Sequence, residues 1–380
     1  MNDQNLHILN SNHLEFPRDV GSMNFNDFVE SSFSNFLNTI LLFEGELGKS
    51  ITARYSEIEQ NCFLIKECIN LLSVDSNNNN IPFSLLSPLY QALLDHHKLL
   101  SEKFMENSLN NWYRIRSSPE NNVTNRSDIF HIPFHILKKA DNKNLFSNRF
   151  SDGSRPMLYL ANSMYLAWKE CKSPDIKNVY AARFELDEQL NNLFIPANSN
   201  AYYSPFNFIK HMNRSLPNLN IKLNKVQNSP YKTETGVEEL TNFMAIWPIL
   251  FALSIPNNGK NENKEYLFPQ YFMKWVLSNS FDGIAFATSQ RSKEMSTQDW
   301  EINLVIPAVK ESTNKYCEKL SKTIKLTNPI RIQDKINYIP MNIQLTNKRM
   351  QIPNETNYSS TIYCKAEYFL DDDNNIKYLE

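Results

Sequence analysis

The densest run of chemistry-bearing side chains lies between Asn148 and Glu170. Arg149 to Arg155 is rich in turn formers and carries two guanidiniums, planar and always-charged donors suited to oxyanions. Met157 to Ala161 reads as a strand, with Leu158 and Leu160 on one face and Tyr159 on the other. A helix is expected from about Ser163. Tyr165, Ala167 and Trp168 are its bulky or apolar positions, and Glu170 falls near its C-terminal end. A carboxylate there opposes the helix dipole and is mildly unfavourable for stability. Two readings follow: a half-exposed hairpin–helix unit with a surface glutamate, or a site that keeps the glutamate for its charge.

Other motifs carry less. His131 and His135 stand four apart, a spacing that could bind zinc on a helix. Pro133 between them opposes a helix and no HExxH glutamate is present. A packing role in a strand or turn is expected instead. His96 and His97 read as one interfacial and one solvated residue. Asp371 to Asn375 lacks the glycine and closing glutamate of a calcium loop and reads as a solvated tail or turn. There is no GxGxxG, Walker A or GxSxG sequence, and no cysteine has a histidine nearby to activate it.

The elements that must position these residues fall into two textures. Residues 1–23 read as a loose lead-in, 24–108 as a helical bundle, and 109–380 as an α+β domain with a C-terminal β extension. Phe25, Phe28, Val29, Phe36, Leu37, Ile40 and Leu47 recur at helical spacing. Ile51, Tyr55, Ile58, Cys62, Ile65, Ile69 and Leu72 form a stricter stripe of about three heptads. Asp75 to Asn80 breaks it, and Ser87-Pro88 opens a third helix through Leu89, Leu93, Leu94, Leu100 and Phe104. Past Asn111, β-like runs appear at Trp112–Arg116, Ile129–Ile136, Met157–Ala161, Val179–Leu186, Phe281–Ala287 and Ile302–Ile306. One strong helix, Val237–Leu253, contains Pro248. Ile330–Gln344 and Thr361–Leu370 are expected as further strands.

Composition narrows the function. The 380 residues are 41% hydrophobic and 21% charged, ordinary for a globular protein, and the length suggests two or three domains. Lys and Arg number 39 against 41 Asp and Glu, a net charge of −2, with no basic excess to bind nucleic acid. The five cysteines (Cys62, Cys68, Cys171, Cys317 and Cys364) form no CxxC, which fits a reducing cytosol rather than disulfides or zinc. Met1 to Phe16 has no signal-peptide core, and Phe243 to Pro256 is too short to span a bilayer. A cytoplasmic protein that binds neither membrane nor nucleic acid is expected.

Read in order, several segments together resemble the RES domain family, named for an Arg, a Glu and a Ser. Arg149 sits in a turn-rich loop, followed by Gly153, the run Leu158-Tyr159-Leu160-Ala161, and a helix ending in Glu170. Tyr113-Arg114 matches the upstream "YR" strand. Phe130–Phe134, Trp247-Pro248, Phe268–Gln270, Trp275, Phe281–Ile284 and Asn303–Val305 continue the resemblance, which covers roughly Trp112 to Pro307. The family's serine falls by count on Thr288, with Ser289 next.

The resemblance implies an ADP-ribosyltransferase-like fold, with a split, twisted β core and a cleft for NAD. It implies a toxin that consumes NAD as substrate, by hydrolysis or phosphorolysis, in a toxin–antitoxin or anti-phage setting, with no metal or prosthetic group. Glu170 would then stabilise the oxocarbenium-like cation or hold the ribose hydroxyls. Arg114 and Arg149 would grip the pyrophosphate, Tyr159 would stack on nicotinamide, and Tyr113 would line the NAD site. Thr288 or Ser289 would donate to a phosphate or ribose oxygen. Transfer of ADP-ribose to a macromolecule and a catalytically dead binding module are the alternatives. The N-terminal helices read equally as a regulatory surface that engages an antitoxin and as a platform covering the sheet. Homo-oligomerisation is left open.

Overall fold

The computed structural model describes residues 3–9, 11–15, 18, 20–74, 82–89, 93–94, 111–119, 123–134, 136, 147–187, 190, 193–194, 233–257, 263–288, 302–309, 315–336, 362–371 and 375–379. Its helices are α1 (Asp3–Leu9), α2 (Phe25–Ile40), α3 (Gly45–Val74), α4 (Arg126–Ile129), α5 (Met164–Glu170), α6 (Thr233–Ser254), α7 (Lys264–Ser278), α8 (Glu318–Thr323), α9 (Ile332–Ile336) and α10 (Ile362–Asp371). The strands are β1 (Trp112–Ser117), β2 (Ser147–Asn148), β3 (Ser151–Asp152), β4 (Met157–Ala161), β5 (Val179–Leu186), β6 (Leu193–Phe194), β7 (Gly283–Ala287), β8 (Ile302–Pro307), β9 (Ile324–Leu326), β10 (Ile330–Arg331) and β11 (Lys377–Tyr378). The class is α+β.

The chain divides into two compact units. One comprises residues 1–107 and 195–275, the other 108–194 and 276–380. The segment 195–275, expected inside the α+β domain, thus groups with the N-terminal helices. Its α6 supplies the reason. Trp247 stacks on Phe36 with ring centres 4.1 Å apart and lies 5.0 Å from Phe251. Asn61 on α3 donates to Ala245 O on α6 at 2.8 Å. The expected α3 stripe is the buried face: Ile51, Ile58, Cys62, Ile65, Ile69 and Leu72 are buried and Tyr55 is half-buried. Leu47, placed by its spacing on α2, instead belongs to α3, which Gly45 opens at positive φ.

The lead-in is not loose. α1 forms there, Ile8, Leu9, Leu14 and Val20 are buried, and Trp247 Nε1 donates to Leu14 O at 2.9 Å. An apolar residue every few positions lets a short segment pack without periodicity of its own. Asp75–Asn80 and most of the expected third helix lie outside the described residues.

The second unit is built on a nine-stranded sheet of order β11-β9-β5-β1-β4-β8-β7-β6, with β10 also on β5. All its pairings are antiparallel except β6–β7. β1 pairs with β5 over six residue pairs but with β4 through Tyr113–Ala161 alone. The sheet is therefore split between β1 and β4. β2 and β3 form a separate hairpin.

Four further sequence expectations differ from this structure. Ile129–Ile136 is not a strand: α4 ends at Ile129 and the chain then bends around Pro133. Ile330–Gln344 begins as the two-residue β10 but turns into α9 at Ile332, and residues 337–344 lie outside the described set. Where a strand was expected over Thr361–Leu370, Ile362–Asp371 forms helix α10. Asp371 is no solvated tail, because its Oδ1 accepts from Tyr113 Oη at 2.7 Å and Asn111 Nδ2 at 2.9 Å. Among the described residues, no helix is long and apolar enough to cross a membrane.

Candidate functional site

Strands β4 and β8 and the residue just past β7 bring polar side chains to one face of the sheet. Ala161, Asn303 and Phe286 lie directly opposite one another on β4, β8 and β7. By alternation Tyr159 lies on this face, and Thr288, two residues past Phe286, follows it. Leu158 and Leu160 take the other face, as the sequence indicates.

Helix α5 covers this face. Ser163 caps it by accepting from Leu166 N at 3.1 Å, and Met164, Leu166 and Ala167 pack with Tyr113, Ile115 and Ala161. At its far end α5 carries Glu170. The chain closes past Glu170 with Lys172 N donating to Lys169 O and Ser173 N to Trp168 O, a Schellman pattern. Lys172 and Ser173 adopt φ of +62° and +51°, where glycine is the usual residue.

Glu170 is exposed, yet its carboxylate is fixed. Oε1 accepts from Thr288 Oγ1 at 2.5 Å and from Asn303 Nδ2 at 2.6 Å. Thr288 and Asn303 are both buried. Oε2 makes no hydrogen bond among the described residues. One oxygen is thus anchored and the other left open, which holds a negative charge in a set direction without spending all of it.

The arginine loop meets the same face. Arg149 is buried in the turn between β2 and β3. Phe150, the next residue, packs its ring 4.5 Å from that of Phe286, and its N donates to Tyr159 Oη at 3.3 Å. Tyr159 is half-buried and its hydroxyl braces the turn.

Arg114 reaches the site from the split. Alternation starts its side chain on the other face, but Nη1 donates to Tyr159 O at 2.8 Å where β1 and β4 part. Its Nε has no hydrogen-bond partner among the described residues. Burial, with the neighbouring charge of Arg116 adding to it, lowers the guanidinium to about 10, so it remains a cation at neutral pH.

Glu170 and Thr288 therefore touch, Tyr159 shares their face, the Arg114 side chain donates to Tyr159 O, and Phe150, the residue after Arg149, donates to Tyr159 Oη. Tyr113 stands apart: it is fully buried and its hydroxyl is spent on Asp371. Ser289 lies outside the described residues. Asn303 is the contact that the residue-by-residue reading did not single out. Its signal was there, as the lone polar side chain within Ile302–Ile306.

His131 has the expected packing role. It is buried, Nε2 accepts from Cys317 N at 2.9 Å, and Nδ1 therefore donates to Ile132 O at 2.8 Å. Burial pushes it down to about 4. Among the described residues, no group of three His, Cys, Asp or Glu side chains could hold a metal ion.

No family model matches the chain, and no solved structure matches it. A Bacillus subtilis (strain 168) protein named "Putative toxin YopC" is 22% identical over 229 residues, covering 58% of this chain. The chain spans less than half of that relative, 46% of its length.

Proposed function

We propose that this protein is a RES-type toxin that destroys NAD by breaking the bond between nicotinamide and ribose. The observation that carries the reading is the Glu170 carboxylate, anchored through Oε1 by Thr288 and Asn303 with Oε2 open. The toxin-named relative supports the same class.

In the reaction, the C1′–N bond breaks and its electron pair leaves with nicotinamide, which loses its positive charge. The ribose becomes an oxocarbenium-like cation. Oε2 of Glu170 faces that charge as it develops. Fixed negative charge in a set geometry costs no reorganisation at the moment of reaction. Arg114 and Arg149 hold the pyrophosphate as charge-assisted donors. Tyr159 braces the Arg149 turn and offers the face of its ring to the nicotinamide. An acceptor oxygen then adds to C1′ and releases its proton. With water the product is ADP-ribose; with phosphate, its 1-phosphate. The fold implied is ADP-ribosyltransferase-like, in keeping with a sheet that splits beside the catalytic helix.

The test is NAD turnover by the purified full chain, read as free nicotinamide. Glu170→Gln keeps shape and removes charge, and is expected to lower turnover on the order of 10²–10³-fold. A folded Glu170→Gln protein that consumes NAD as fast as the parent overturns the reading. Label appearing on a macromolecule would mark a transferase instead. NAD binding without turnover would mark an inactive binding module.

A further inference from the structure

The α5 helix and strand β1 hold Glu170 and Arg114, yet the sheet does little to fix one against the other. β1 and β4 share a single residue pair, and α5 follows β4. α5 packs on β1 through Met164, Leu166 and Ala167 against Tyr113 and Ile115, and a further helix braces that contact from outside the sheet.

Helix α10 meets both. On the α5 side, Glu367 is buried and its Oε1 accepts from Met164 N, the first amide of α5, at 2.6 Å. Ser163 has already taken the Leu166 amide, so the two caps hold separate donors of the same turn. The Tyr363 ring lies 5.2 Å from both Tyr165 and Trp168. On the β1 side, Asp371 accepts from Asn111 and from Tyr113, the residue before Arg114. Ala366 and Leu370 fill the core between, against Tyr113, Met164 and Ala167.

We infer that α10 is a clamp that sets the spacing of Glu170 from Arg114, with Glu367 as its positioning residue. The inference rests on the NAD-cleaving reading above. Glu367 touches no reacting atom; it acts through α5, whose opposite end bears the carboxylate. Losing the Glu367–Met164 bond frees that end of a seven-residue helix, and a shift of about 1 Å at a reacting group can cost on the order of 10²-fold in rate.

The experiment uses the full chain with Glu367→Ala and Glu367→Gln. Two quantities are read: NAD turnover, separated into kcat and KM, and hydrogen exchange of the peptide covering residues 163–170. Glu367→Ala is expected to lower kcat about 10²-fold with KM little changed, because Arg149 is held by its own hairpin. Exchange in 163–170 should rise. Glu367→Gln keeps an acceptor oxygen and should restore most of both. Unchanged exchange in a folded Glu367→Ala protein overturns the clamp, whatever the activity. So does a Gln variant as impaired as the Ala variant. A parent protein that turns over no NAD instead overturns the functional reading, and the exchange measurement then judges the clamp alone.

Discussion

Thr288 Oγ1 stands 2.5 Å from Glu170 Oε1, joining residues 118 positions apart. The hydroxyl is buried, the carboxylate exposed, and the bond fixes which carboxylate oxygen is spent and which is offered. We propose that Thr288, rather than the neighbouring Ser289, takes the role of the serine that the resemblance implies.

Replacing Thr288 by Val keeps the volume and removes the donor. NAD turnover is expected to fall about 10²-fold, the usual loss for one preorganised contact. Thr288→Ser should stay within a few-fold of the parent. Ser289→Ala should leave turnover unchanged, and a large loss there would move the serine role to Ser289. Initial rates of nicotinamide release decide among them.

Gly283 on β7 has no room for a side chain. A Cβ there would sit 2.4 Å from Val305 O on β8. Gly283→Ala should destabilise by about 1–3 kcal/mol through overpacking, measured by urea denaturation. The same strand pair carries Phe286 and Asn303, so turnover should fall as well.

Burial holds His131 at about 4, below its value in the unfolded chain. As pH falls, the unfolded state takes up a proton first. Stability is full above pH of about 6.5 and is lost as pH falls toward 4, by up to roughly 3 kcal/mol. His131→Gln should flatten that part of the profile. Urea midpoints at pH 7, 6 and 5 provide the check.

Lys172 adopts φ of +62° immediately past the end of α5. A side-chain-bearing residue costs about 1–2 kcal/mol in that region relative to its ordinary conformation. Lys172→Gly should therefore raise stability by about 1 kcal/mol, or roughly 2–4 °C in Tm for a unit of this size. Thermal melts by circular dichroism test it.

The sequence was legible where local period and burial agree. Val179–Leu186 and Met157–Ala161 are strands because apolar residues at every position or every other one leave no polar face for a helix to expose. The α3 stripe is legible because a spacing of three and four fits a single helical face. At the C-terminus that reading failed. Tyr363, Phe369 and Thr361 invite a strand, but Ala366, Glu367 and Leu370 are the buried set, at helical spacing. The site was half legible. Glu170 and Thr288 stand in recognisable runs, whereas the partnership of Glu170 with Asn303 depends on register between β4, β8 and β7, which no local pattern specifies.

The interleaving of the two units bears on how such a gene can be rearranged. Residues 1–107 and 195–275 make one unit, and the stretches between and after them make the other. A single crossover near residue 108 would transplant α1, α2 and α3 without α6. Phe36 would lose Trp247, and Asn61 its acceptor on Ala245. A working chimaera needs at least one further breakpoint on each side of 195–275. A single crossover therefore moves neither unit whole.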